Sequence, residues 1–120
     1  SDLDDILAES IKRNERDGIT GLLAYDQFNF MQVLEGEEEA VNRLYLGITA
    51  DPRHQDVRLI QYEQIDHRQF DDWAMALAKL PEVPGNYINK LYGGFKPQLF
   101  STRDALIYFN FLRNYLKRAA

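Results

Sequence analysis

Gly18-Ile19-Thr20-Gly21-Leu22-Leu23-Ala24-Tyr25, followed after a short polar stretch by Phe30-Met31-Gln32-Val33-Leu34-Glu35-Gly36, decides the fold. The β-branched, aliphatic and aromatic residues of both runs predict two strands. Asp26 and Asn29 supply turn formers between them, and Phe28 is expected to pack against the sheet. One amide, Gln32, stands among apolar neighbours. If it faces inward, its carbonyl and NH2 groups cost roughly 1 to 3 kcal/mol when unpaired, so protein or ligand must satisfy them; otherwise it is an ordinary, partly exposed strand residue.

Upstream, Leu3, Ile6, Leu7 and Ile11 recur at helical spacing, with Asp2, Asp4 and Asp5 near the positive end of the dipole and Lys12 and Arg13 near its negative end. Ser1 and Asp4 have the spacing of a capping box. Downstream, Glu37, Glu38 and Glu39 precede the stripe Ala40, Val41, Leu44, Tyr45 and Ile48, a second amphipathic helix that Asp51 and Pro52 end. Alternation from Val57 to Gln64 predicts another strand. Trp73 to Leu80 also read as a short strand, although the alanines there permit a helix. Pro81 and Pro84 mark a boundary, after which Tyr87, Ile88 and Leu91 predict a short helix ending near Gly93 and Gly94. Ser101 and Asp104 then cap a final helix whose apolar residues cover more than one face, either under a partner subunit or simply over the sheet.

The chain has 120 residues, 45% of them hydrophobic and 28% charged, which suits one small globular domain. A formal net charge of -5 argues against a nucleic-acid backbone or an anionic membrane as partner. The absence of cysteine excludes thiol chemistry, disulfides and thiolate metal sites. No apolar run approaches a membrane span and no signal-peptide pattern opens the sequence, so a cytoplasmic protein is expected.

Catalytic constellations are weak. His54 and His67 lack metal-ligand spacing, and no nucleophile elbow, phosphate loop or dinucleotide fingerprint occurs. Glu35 and Glu37 flank a glycine and read as helix-start charges rather than as an acid and base pair. An enzyme is therefore not expected. Gln32, Trp73 and Met75 are the more unusual set. Trp73 and Met75 either fill the core or, with Gln32 and Asn14, surround a planar heteroaromatic ligand whose polar edge the amides would pair.

Four runs resemble the successive motifs of the BLUF domain, the blue-light sensors that use FAD. They are Asn14 to Leu23, Phe30 to Gly36, Asp51-Pro52-Arg53-His54, and Phe70-Asp71-Asp72-Trp73-Ala74-Met75. Together they cover about Asp2 to Leu80. The tail, with Lys90-Leu91-Tyr92-Gly93-Gly94-Phe95 and the last helix, is similar to the C-terminal helices of the short, single-domain cyanobacterial members.

The resemblance implies an α+β fold: a ferredoxin-like mixed β-sheet with two helices on one face, plus C-terminal helices. Residues 1–80 would form the flavin-binding core and residues 81–120 a helical extension, packed on the sheet or at a subunit interface. The resemblance further implies FAD as cofactor, Gln32 as the switching glutamine and Asn14 as an amide binding the flavin's pyrimidine edge. Trp73 and Met75 would respond to the switch, while Asp51, Arg53 and His54 would lie along the flavin's outer side. Arg13 stands where many members carry a further flavin-facing asparagine or histidine. A homo-oligomer signalling to a response-regulator-like or other protein is expected, without nucleic acid or membrane. The family's first strand, which carries its photoactive tyrosine, has no counterpart in this sequence. The expectation is that the sequence starts inside the domain; the alternative is a flavin-free interaction or oligomerisation module.

Overall fold

The computed structural model describes residues 2–71, 73–80 and 87–119. The capping box at Ser1, Asp72 of the last motif, and the boundary at Pro81 and Pro84 lie outside the described residues. Helix α1 (Asp2–Asp17) is followed by strands β1 (Thr20–Tyr25) and β2 (Phe30–Glu35), helix α2 (Glu38–Ala50), strand β3 (Ala76–Lys79), helix α3 (Tyr87–Tyr92), a 3-10 turn (Pro97–Leu99) and helix α4 (Thr102–Ala119). The α+β class is as expected. Among the described residues, no helix is long and apolar enough to cross a membrane.

The sheet has the order β2-β1-β3. β3 runs parallel to β1 with Leu22 opposite Ala76 and Tyr25 opposite Lys79. The chain divides into two compact units: residues 1–21 with 34–75, and residues 22–33 with 76–120.

In the first unit, α1 stops because Gly18 adopts φ +68°, a left-handed conformation that other residues enter at a cost. Ile19 N–H then turns back to donate to Asn14 O at 2.9 Å, the closing bond of a Schellman-type cap. Helix α2 ends at Asp51, whose N–H donates to Ile48 O at 3.3 Å. Leu7, Ile19, Leu44, Phe70 and Met75 are the buried apolar residues of this unit.

In the second unit, Asp26 builds the turn. Its Oδ1 accepts the N–H groups of Phe28 at 2.8 Å and Asn29 at 2.7 Å. Phe28 departs from expectation: it is 84% exposed, because that same turn leaves it at the hairpin tip. Around the tail helices, the Phe100 ring lies tilted 4.8 Å from that of Tyr92 and edge-on 5.7 Å from that of Tyr108, and Ile88 and Leu112 are fully buried in the same unit. The Ser101 cap forms as read, with Asp104 N–H donating to Ser101 Oγ at 3.1 Å.

Two strand readings need correction. Residues 57–64 alternate in sequence but form no regular ladder, and most are exposed. Alternation fits a residue run to a sheet without supplying the neighbouring strand that makes one. Of the Trp73 to Leu80 run, only Ala76–Lys79 is a strand. Trp73 N–H instead folds back onto Phe70 O at 3.2 Å, so the ladder begins later.

Candidate functional site

Asn14 occupies the last full turn of α1 and is 0% exposed. Its Nδ2 donates to Ala74 O at 2.9 Å, between Trp73 and Met75 in the chain. A carbonyl can only accept, so this bond fixes which end of the amide is the nitrogen. The other end, Oδ1, is buried with no hydrogen-bond partner. On the preceding residue, Arg13 Nε is likewise buried without one. Helix α1 therefore presents an unused acceptor and an unused donor on successive residues.

The segment that Asn14 grips is also bonded to the sheet. Trp73 O accepts Gly21 N–H at 3.1 Å, which joins it to the start of β1. Met75 is 7% exposed. Thus Asn14 comes together with the Trp73 to Met75 segment.

Asp51, Arg53 and His54 form a second group. Asp51 Oδ1 accepts Arg53 N–H and Nε–H, both at 2.9 Å, and Oδ2 accepts from Nη2 at 2.5 Å. The Arg53 side chain first, and its backbone N–H second, hold the Asp51 carboxyl well below the usual carboxylate range. His54 N–H donates to Asp51 O at 3.0 Å. Its ring Nδ1 lies 3.0 Å from Ile48 O, and since a carbonyl oxygen only accepts, Nδ1 donates in that bond. These contacts fasten the loop to the end of α2. Gln32 belongs to the second unit, on β2, where it is half-buried.

Sequence reasoning missed Glu35. It was read as a helix-start charge, yet it is 6% exposed and accepts backbone N–H groups from Gln69 and Phe70. The available signal was parity: on β2, Glu35 shares a face with buried Met31, and a carboxylate placed there needs buried donors.

Among the described residues, no group of three or more His, Asp or Glu is placed to hold a metal. The sequence matches, over residues 1–76, the family described as BLUF, sensors of blue-light using FAD. The chain belongs to that family, and is a flavin-binding blue-light sensor domain. It is 37% identical over 78 residues to the photoactivated adenylate cyclase subunit beta of Euglena gracilis, a match covering 64% of this chain and 9% of that one. It is 44% identical over 69 residues to the subunit alpha from the same organism, covering 58% and 7%. Among solved structures, the BlsA ground state superposes with a TM-score of 0.80 at 31% identity, over 93% of this chain and 75% of that one. The stretch thus spans less than a tenth of those curated relatives.

The relatives correct the expected partners. A homo-oligomer signalling to a response-regulator-like protein was anticipated, but the cyclase relatives are named as two different subunits, alpha and beta. They point to assemblies of unlike subunits rather than of copies of one chain.

Proposed function

We propose that this domain binds FAD non-covalently and reports blue light through a rearrangement of the Gln32 amide. The observation that supports the site is the Asn14 carbonyl oxygen, fully buried and unpaired while its own nitrogen is committed to Ala74. An acceptor left in that state costs about 1 to 3 kcal/mol, and the imide N–H at a flavin's pyrimidine edge is a donor of the right kind to relieve it. Arg13 Nε, a donor, suits a ring carbonyl. The residues present therefore fit a flavin.

When bound, FAD supplies blue-light absorption and acceptance of an electron. The chain supplies orientation and hydrogen bonds. Asn14 fixes the pyrimidine edge. Gln32 has both a donor and an acceptor on one planar group, so a reorientation exchanges which of them faces the ring. Trp73 and Met75 respond because their segment is bonded to Asn14 and to β1 rather than packed alone. Asp51, Arg53 and His54 line the outer side, with the Asp51–Arg53 pair keeping that loop closed.

Residues 1–80 form the flavin-binding core in this reading and residues 81–120 its helical extension, of the kind found in short cyanobacterial members, in a cytoplasmic protein. In this reading the photoactive tyrosine is carried, as the family resemblance implies, by a first strand outside the given sequence.

The test is an absorption spectrum of the protein titrated separately with FAD and FMN, before and after blue illumination. Preferential uptake of FAD, with a band that moves to the red in light and recovers in darkness, is expected. Preference for FMN overturns the cofactor assignment. A spectrum unchanged by light, in a protein that includes the upstream strand, overturns the switch.

A further inference from the structure

Glu35 ends β2 with its carboxylate inside the first unit. Oε1 accepts Phe70 N–H at 2.8 Å and Gln69 N–H at 3.1 Å, while Oε2 accepts Gln69 N–H at 2.9 Å. Two consecutive backbone donors thus terminate on a side chain 34 residues earlier in the sequence. Phe70 is itself 3% exposed, so the turn is held by its ring as well as by its backbone.

From Phe70 the bonding continues towards the candidate site. Phe70 O accepts Trp73 N–H at 3.2 Å, Trp73 O accepts Gly21 N–H at 3.1 Å, and Ala74 O receives the Asn14 amide at 2.9 Å. A carboxylate accepting two N–H groups forms stronger bonds than a neutral acceptor, and in a buried setting it tolerates little displacement.

We propose that Glu35 is a positioning residue: it fixes the Gln69–Phe70 turn and thereby sets where Trp73 and Met75 stand and how the Asn14 amide is aimed. β2 also carries Gln32, so one strand holds both the switching amide and the anchor of the segment that responds. The part of the proposal concerning the light response rests on the photoreceptor reading; the positioning does not.

The experiment compares Glu35→Gln, Glu35→Ala and, as a charge control on the exposed first turn of α2, Glu39→Gln. Glu35→Gln keeps the side-chain shape and one acceptor oxygen, but brings an NH2 group against a backbone N–H. It carries the test if Glu35→Ala fails to fold. In the dark, cofactor-free protein, amide hydrogen exchange in Glu35→Gln is expected to quicken about tenfold or more at Gln69, Phe70, Trp73 and Gly21, and to stay unchanged along α2. In the flavin-loaded protein the same variant changes the dark-recovery time severalfold while Glu39→Gln does not. Exchange that quickens only at Gln69 and Phe70 makes Glu35 a local turn cap and overturns the proposal, as does exchange unchanged at all four amides. A wild-type protein without a light-induced shift removes the photoreceptor reading, and the exchange pattern then decides the positioning on its own.

Discussion

The side-chain nitrogen of Asn14 and the carbonyl oxygen of Ala74 meet at 2.9 Å across 60 residues of sequence. That bond leaves one buried oxygen over, and the leftover oxygen is an acceptor by elimination. Asn14→Ala is expected to weaken flavin binding by about 1 to 2 kcal/mol, or roughly tenfold, since both the acceptor and the tether vanish. Asn14→Asp is expected to be worse, because a carboxylate cannot donate to Ala74 O. Fluorescence titration with FAD reads both.

Gln32→Leu conserves much of the side-chain volume and removes every polar atom. The expected protein is still yellow, but its spectrum does not move to the red on illumination. A variant that shifts as the wild type does would take the switch away from this residue.

Gly18 holds φ +68°, with no heavy atom within 4 Å of where a Cβ would stand. The cost of Gly18→Ala is thus conformational rather than steric, about 1 to 2 kcal/mol. Thermal unfolding should show a midpoint lower by several degrees. Because the same cap bonds Ile19 to the Asn14 carbonyl, flavin affinity should fall with it.

Asp51 has a carboxyl depressed by Arg53, so the sign follows from linkage: its contribution is present above the unfolded value of about 3.9 and is lost as pH falls through the lower folded value. Arg53 is exposed and Asp51 half-buried, and the effect of the pair is confined to the loop. NMR titration should find Asp51 still ionised at pH 4, and Asp51→Asn should release Arg53 from its fixed position at neutral pH.

Tyr92 OH donates to Asp104 Oδ2 at 2.5 Å and accepts Ser101 N–H at 3.3 Å, joining α3 to the start of α4. Tyr92→Phe keeps the ring against Phe100 and loses both bonds. A loss of about 1 to 2 kcal/mol in denaturant unfolding is expected, without a change in the flavin spectrum.

Much of this architecture was legible because it depends on local chemistry. The periodicity of α1 and α2, the Asp26 turn and the Ser101 cap each involve residues within a few positions of one another. What depends on distant partners was not. Residues 57–64 alternate like a strand yet lie outside the ladder. Trp73 to Met75 are diverted from the strand by bonds to Phe70, Gly21 and Asn14. Glu35 looked like one of four acids around a helix start, and its burial follows from a turn far along the chain. Gln32 was conspicuous as an amide in apolar company; Asn14 stands among charged residues, and only the fold revealed that its side-chain oxygen is buried and spare.

The parallel pairing of β1 with β3 carries a last implication, for the newborn chain. Leu22 waits for Ala76, more than fifty residues later, before its second edge is covered. At ribosomal rates of roughly 5 to 20 residues per second, that wait lasts about 3 to 10 seconds, with a hairpin of apolar strands open along one side. Nascent β1 and β2 are thus the part of this protein most in need of a chaperone, and a stalled or truncated product ending before Lys79 should aggregate through that edge.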